Sequence, residues 1–254
     1  MFGNNMNKKL QLNICFCGDE SAVNKYTTVI NSIQKKNSHH AINIHFIRPF
    51  DTCEDYEELK KHIASFDNLE LSEYYQTWER DYDGMEHIES SATMIRLFIP
   101  KLLEVGRVIY LDMDLVVNMD LQKLYEIDCG RKGIAMANHK DTPRRERRKL
   151  GGRLSGNAGV MLLDLKKLRN RNFTERCLEI NNEHGGNDQH AINIYCRGKH
   201  AILEPHFNIQ YYDNADYVEQ VDDYIFHWTG PHKPWHDKVG KYDYLWETHT
   251  REYL

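Results

Sequence analysis

Leu10-Gln-Leu-Asn-Ile-Cys-Phe-Cys17 alternates and is β-prone, Gly18-Asp19-Glu20-Ser21 breaks it, and Ala22 to Lys36 then carries apolar residues at helical spacing. The pattern predicts strand, loop and helix. Ile42-Asn-Ile-His-Phe-Ile47 predicts a second strand, and Thr52, with Asp55 three residues later, offers an N-cap for a helix running to about Phe66. Such βαβα alternation favours a mainly parallel sheet flanked by helices, whose ligands lie beyond the carboxyl ends of its strands. The residues just after each strand therefore matter most.

Beyond Asn68 to Leu71, Ser90 or Ser91 can cap a helix through Thr93-Met-Ile-Arg-Leu-Phe-Ile99, interrupted near Pro100. Arg107-Val-Ile-Tyr-Leu111 predicts a buried strand ending in Asp112-Met113-Asp114. Further strands are expected at Gly133 to Ala137, Ala158 to Leu163, Ala201 to Leu203 and Tyr224 to Trp228, with helices near Phe173 to His184 and Asp188 to Tyr195.

The 254 residues, 41% of them hydrophobic and 28% charged, suffice for a full core and exclude disorder, collagen and a disulfide miniprotein. With no repeat and no low-complexity linker, one domain over 1–254 is expected, with a flexible start at 1–9 and a short C-terminal segment at 240–254. The net charge of -5 gives no global reason to bind nucleic acid. Six dispersed cysteines point to a reducing cytoplasm. No run approaches a membrane span, and Met1 to Lys9 is polar where a signal peptide would be apolar.

One segment departs from the average. Lys140 to Arg153 crowds Arg144, Arg145, Arg147, Arg148, Lys149 and Arg153 into a Gly-containing connection. Charge runs are usually solvated; the alternatives are a mobile cover over a phosphate-bearing ligand, or a contact to an acidic acceptor or a membrane surface.

In Val108-Ile-Tyr-Leu-Asp-Met-Asp114, strand periodicity points Asp112 and Asp114 the same way. Two like charges at one spot are costly to bury unless a cation sits between them, and hard oxygen ligands suit Mg²⁺ or Mn²⁺. Far along the chain, Tyr224-Ile-Phe-His227-Trp-Thr-Gly230-Pro-His-Lys233-Pro234-Trp235 sets a histidine, a glycine and a lysine after an apolar strand. His227 could add an imidazole to the same ion, tilting selection toward Mn²⁺. Gly230 would let backbone approach a diphosphate, and Lys233 would neutralise its oxygens. A strand-end histidine is also commonly a hydrogen-bonded core residue.

Taken together, these residues resemble the retaining nucleotide-sugar glycosyltransferases of family 8, which include bacterial lipopolysaccharide galactosyl- and glucosyltransferases and the glycogenins. The resemblance rests on Arg96, Tyr-Leu-Asp-Met-Asp at 110 to 114, Asn157-Ala-Gly-Val160, Asn187-Asp188-Gln189, Phe207-Asn208 and His227-x-x-Gly-x-x-Lys-Pro-Trp235, in that order over nearly the whole chain. It implies a single Rossmann-like sheet of the GT-A type, a UDP-sugar donor, a glycan or glycolipid acceptor, and Mn²⁺ (or Mg²⁺) held by Asp112, Asp114 and His227. It further implies Asp19 at the nucleoside, Gly230 and Lys233 at the diphosphate, and Arg96, Asn157, Asp188 and Gln189 around the donor sugar. Relatives often carry Asp-Asp-x-Tyr where this chain has Gly18-Asp19-Glu20-Ser21, an Asp at the sugar-contacting position of Asn138, and a carboxylate at the position of His190.

The candidate beneath the sugar is Gln189, whose neutral amide is a poor nucleophile. Retention is therefore expected through attack on the face that the leaving group vacates, with Asp188 orienting sugar hydroxyls or, if the loop moves, acting as nucleophile. Two other readings compete. One is a nucleotide-sugar or glycan-binding protein without turnover. The other is a haloacid-dehalogenase-type phosphohydrolase, whose Asp-x-Asp signature the mid-chain motif superficially fits. The aromatic tail, Tyr242 to Leu254, is expected as a short packed helix, with a peripheral membrane role shared with the basic segment as a further possibility.

Overall fold

The computed structural model describes residues 11–77, 92–236 and 239–251. It opens with strand β1 (Gln11–Cys17), helix α1 (Val23–Asn37), β2 (Ala41–Arg48), α2 (Glu54–Ala64) and β3 (Leu69–Tyr75). Side chains of β1 divide by parity: Leu12, Ile14 and Phe16 enter one core, Cys15 and Cys17 the other. A strand buried on both faces demands this division, and it makes β1 a central strand. The expected Thr52 cap does not form. Cys53 takes the N-cap position without a side-chain bond, and Thr52 Oγ1 donates to Glu57 Oε1 at 2.9 Å. Glu54, Asp55 and Glu57 in the first turn supply negative charge at that helix end instead.

The chain continues with α3 (Ala92–Ile95), a 3₁₀ turn at Arg96–Phe98 and α4 (Ile99–Leu102). Ser90 and Ser91 lie outside the described residues. The helix breaks before Pro100 rather than at it: the proline sits in the first turn of α4, where its missing N–H costs nothing. Next come β4 (Arg107–Leu111), β5 (Leu115–Asn118), α5 (Gln122–Tyr125), β6 (Ile134–Asn138), α6 (Arg144–Lys149) and β7 (Gly156–Asp164). They are followed by α7 (Leu165–Arg169), α8 (Phe173–His184), α9 (Asp188–Cys196), β8 (Ala201–Leu203), β9 (Ile209–Gln210), α10 (Tyr211–Asn214), β10 (Tyr224–His227) and α11 (Tyr244–Arg251).

A seven-stranded sheet runs β3-β2-β1-β4-β7-β6-β8, with β7 antiparallel to its neighbours β4 and β6 and the other pairings parallel. It is the α/β architecture expected, a mixed and mainly parallel central sheet flanked by helices. Residues of α1, α2 and the tail (Tyr242, Trp246) pack on one face of the sheet; those of α3, α4, α7, α8 and α9 pack on the other. No helix among the described residues is long and apolar enough to cross a membrane.

A second sheet of three strands, β5-β10-β9, stands beside the first. The bend at 112–114 carries the chain from β4 in the large sheet to β5 in the small one. Register then pairs His227 with Leu115, so the end of β10 arrives directly beside Asp114. Trp228, expected as the last residue of that strand, lies just past it, its N–H bonded to the Asp114 carbonyl at 2.9 Å.

Candidate active site

The quoted residues gather at the carboxyl ends of β1, β4 and β6 and at the start of antiparallel β7. Asp19 follows β1, Asp112 follows β4, Asn138 ends β6, Asn157 begins β7 and His227 ends β10. A cavity of about 250 Å³ is lined by Asp19, Arg96, Asp112, Asp114 and Lys233, with the Tyr26 ring in its wall. Asp19 Oδ1 accepts from Ser21 N–H and Oγ–H at 3.1 and 2.7 Å, which fixes the loop after β1.

Asp112, Asp114 and His227 bring ligand atoms within 4.8 Å of one another. His227 Nε2 is 3.1 Å from Asp114 Oδ1 and 3.9 Å from Asp112 Oδ2. The strand pleat is not what aligns the two carboxylates, because β4 ends at Leu111; they converge on the bend between the two sheets.

The imidazole tautomer is set by a relay that starts at an unambiguous donor. The Gly159 backbone N–H donates to Asn157 Oδ1 at 2.9 Å, so that amide can also receive Asn208 Nδ2, at 3.0 Å. Asn208 Oδ1 is thereby turned to accept from His227 Nδ1, 3.0 Å away. With its proton on Nδ1, the ring aims the Nε2 lone pair at the carboxylates. A lone pair facing a carboxylate oxygen at 3.1 Å is repulsive unless a proton or a cation lies between them. The donor set thus fits a divalent ion with oxygen and imidazole ligands. Gly159 makes room for it: a Cβ there would overlap the His227 ring and lie 2.7 Å from Asp112 Oδ2.

Charge around this group is unbalanced. Arg96 Nη1 pairs with Asp112 Oδ1 at 3.1 Å, Arg96 Nε lies 2.9 Å from Asp188 Oδ2, and Lys233 Nζ pairs with Asp114 Oδ2. Three carboxylates therefore face two permanent cations. Without an ion, burial pushes the Asp114 carboxyl up, but the His227 ring, when a proton takes the ion's place on Nε2, and Lys233 outweigh it and hold the group well below the usual carboxylate range. For Asp188 burial wins over Arg96, with the Asp112 charge adding to it, and the carboxyl is raised. Although Arg96 Nε is close to Asp188 Oδ2, its N–H points to the Thr93 carbonyl, and Oδ2 has no hydrogen-bond partner. The contact is ionic, and Oδ2 is left a buried acceptor without a hydrogen bond.

Gln189, next on α9, is engaged on both ends: Oε1 accepts from Ala158 N–H at 3.0 Å and Nε2 lies 3.3 Å from His139 Nε2. Asn138 is held by His200, whose Nε2 is 2.8 Å from its Oδ1. Lys233 also donates to the Trp228 carbonyl at 2.7 Å. Gly230 has φ +82, and the room left by its missing side chain is filled by Tyr212, 2.6 Å from where a Cβ would stand. The roles of Gly159, Asn208, Tyr110 and His139 were not read from the sequence. Tyr110 donates to Asp112 Oδ1 at 2.6 Å and carries the Arg96 guanidinium over its ring. Tyr110, Gly159 and Asn208 lie inside motifs quoted for the resemblance, and Gly159 left a physical signal as well, since a glycine inside a strand marks a close approach.

The description glycosyl transferase family 8 matches residues 13–239. The chain is 25% identical over 255 residues to glycosyltransferase GlyE of Streptococcus pneumoniae serotype 4 (strain ATCC BAA-334 / TIGR4), covering 92% of this chain and 59% of that protein's length. It is 28% identical over 260 residues to the lipopolysaccharide 1,2-glucosyltransferase of Escherichia coli (strain K12), covering 91% of this chain and 75% of that one. In three dimensions it is similar to the galactosyltransferase LgtC, crystallised with donor and acceptor sugar analogs, at a TM-score of 0.77 and 18% identity, over 94% of this chain and 95% of that one. The last likeness concerns the fold, which is of the GT-A type.

Proposed function

The chain belongs to glycosyl transferase family 8, and on that premise we propose that it moves a hexose, glucose or galactose, from a UDP-sugar to a glycan or glycolipid acceptor, with retention and with Mn²⁺ as its ion. The convergence of Asp112, Asp114 and the Nε2 of His227 carries this reading. A diphosphate carries negative charge and is repelled by a cluster in which carboxylates outnumber cations. A dication reverses that sign, and when bound it supplies positive charge to the departing diphosphate.

The remaining work falls to the chain's own groups. Asp112, Asp114 and His227 hold the ion. Lys233, which pairs with Asp114 and donates to the Trp228 carbonyl, would turn its ammonium to the diphosphate oxygens and so stabilise charge on the leaving group. The loop at Asp19 receives the nucleoside. Arg96 ties Asp112 to Asp188, and Asp188 Oδ2, ion-paired but accepting no hydrogen bond, takes one from a hydroxyl of the donor sugar. Asn138 and Asn157, side by side where β6 pairs with the start of β7, are assigned to the same sugar, and Gly230 shapes the turn before Lys233.

With Oε1 already accepting a backbone N–H, Gln189 is a worse nucleophile still. Attack on the vacated face, with the departing phosphate taking the acceptor proton, is the mechanism we favour. The phosphohydrolase reading is set aside, since the glycosyl transferase family 8 match runs over residues 13–239 and takes in the Asp112-Met113-Asp114 motif on which that reading relied.

Incubation with UDP-glucose and UDP-galactose tests the reading. UDP release that requires Mn²⁺ and disappears in Asp114→Asn and His227→Ala is the result expected. UDP binding without turnover across a broad donor and acceptor panel would instead favour a binding protein.

A further inference from the structure

The segment Lys140 to Arg153 does not cover the ion site. It forms one wall of a separate cavity of about 480 Å³, against the end of α9. Arg148, Lys149 and Arg153 line it from one side, Arg197 and Lys199 from the other, with His184 at its edge and no carboxylate in the lining. Among the described residues, the ion pairs of lysine and arginine lie elsewhere, so these five exposed cations line the cavity without a paired carboxylate, the acidic neighbours Glu179 and Glu183 standing in the adjoining hollow beside Arg197 and Lys199. The field reaches Lys132, held below its ordinary value by burial first, with Arg171, Arg197 and Lys199 adding to it.

The backbone is shaped to bring these charges together. Arg197 and Gly198, at the end of α9, have φ of 49 and +61, and Gly151 and Gly152 have φ of +63 and +83. A Cβ on Gly198 would stand 2.5 Å from that of Arg153, so the arginine stem crosses α9 over bare backbone. A solvated charge run needs no such close approach.

The cavity is tied to the reaction centre at both ends. The basic connection leaves β6 at His139, which touches Gln189, and returns to β7 through Ser155, whose carbonyl accepts from His139 N–H at 2.9 Å. Along α9, Gln189 and Arg197 are eight residues apart, about 12 Å at the helical rise. That is the reach of a short oligosaccharide.

We propose that this cavity binds a phosphate group carried by the acceptor glycan, a few sugars from the hydroxyl that is glycosylated. Arginine forks and lysine ammonium groups in a concave site match a compact dianion. A bilayer surface fits less well. The site is a hollow, and the aromatic tail that would share such a contact packs with Trp246 on the α1 face of the sheet, opposite α9. The word acceptor rests on the glycosyltransferase reading; the phosphate site itself does not.

The test compares binding of pentamannosyl phosphate and its dephosphorylated form by calorimetry, in wild type, Arg153→Gln/Arg197→Gln and Arg148→Gln/Lys199→Gln. UDP binding is measured alongside. The phosphorylated probe should bind at least about tenfold more tightly, an advantage lost in both variants and weakened by salt, while UDP affinity is unchanged. Equal affinity for the two probes, or an advantage that survives both variants, overturns the proposal. So does variant-sensitive sedimentation with phosphatidylglycerol vesicles when the phosphorylated probe does not bind, because the patch is then a membrane contact. Phosphate-selective binding without UDP-sugar turnover would leave this site standing and remove the proposed reaction.

Discussion

Asn208 Oδ1 lies 3.0 Å from His227 Nδ1, and this contact decides which imidazole nitrogen faces Asp112 and Asp114. Replacing Asn208 by Ala releases the Nδ1 proton from its acceptor and lets the other tautomer compete. Mn²⁺ affinity, measured by titration with electron paramagnetic resonance, should fall by about 10- to 100-fold. Asn157→Ala should weaken binding in the same direction through Asn208. Asn208→Asp keeps an acceptor for Nδ1 and should lose less than the alanine variant. Unchanged affinity in Asn208→Ala would show that the relay does not set the tautomer.

Gly159→Ala puts a methyl group into the His227 ring and against Asp112. Because β7 is central and buried, the ring must move rather than the strand. Mn²⁺-dependent UDP release should drop by roughly 100-fold while circular dichroism stays that of the wild type. An active variant with wild-type ion affinity would mean that the two carboxylates and the imidazole do not act on one ion.

Gln189→Ala separates the two routes to retention. Same-face attack needs no side-chain nucleophile, so turnover should survive, reduced by about 10- to 100-fold through lost positioning, and nuclear magnetic resonance should find the product anomer retained. Complete loss of transfer together with a trapped glycosyl-enzyme in the wild type would reverse the assignment. Asp188→Asn should raise KM for the donor and lower kcat, since its buried Oδ2 is the acceptor offered to a sugar hydroxyl.

Acid should destabilise the fold through two buried histidines away from the ion site. Burial holds His45 and His200 down to about 4, against about 6.5 for the free side chain. His45 is bonded on both nitrogens, to Tyr74 and Asn13, and His200 Nδ1 is buried without a partner, so protonation has no acceptor ready there. Between these values the unfolded chain binds more protons than the folded one. Stability is therefore full above about pH 6.5 and falls as the pH drops toward 4, by up to about 1.4 kcal/mol per unit for each histidine. Thermal melts at pH 7 and pH 5 should show the loss, and His45→Gln should reduce it. A Tm that is flat or rises on acidification contradicts this.

Much of this architecture was legible in the sequence because burial on both faces leaves a clear trace. The runs Leu12 to Cys17 and Ile42 to Ile47 keep only Asn13, Asn43 and His45 as polar interruptions, Val108 to Leu111 has none, and the helices between them keep their spacing. The second sheet was not legible. β5 follows β4 after a three-residue bend, so Arg107 to Val117 reads as one hydrophobic strand with an acidic interruption, and β9 is two residues long. The direction of β7 was equally hidden, since a basic connection says nothing of whether the next strand returns parallel. Asp112, Asp114 and His227 could be paired by chemistry alone. The relay through Asn157 and Asn208 joins residues 51 positions apart by side-chain amides, for which no local pattern exists. The joint membrane surface suggested for the basic segment and the tail finds the two on opposite faces of the sheet, a separation that only the packing of Trp246 against α1 reveals.

The central claim is that one divalent ion is shared by the bend after β4 and the end of β10. Anomalous diffraction from crystals grown with UDP and Mn²⁺ tests it most directly. The account predicts a single manganese peak bonded to Asp112, Asp114 and His227 Nε2 and to the diphosphate, with Lys233 turned from Asp114 onto the phosphate oxygens. A manganese peak elsewhere, or UDP bound with Lys233 still on Asp114 and no ion beside His227, contradicts it.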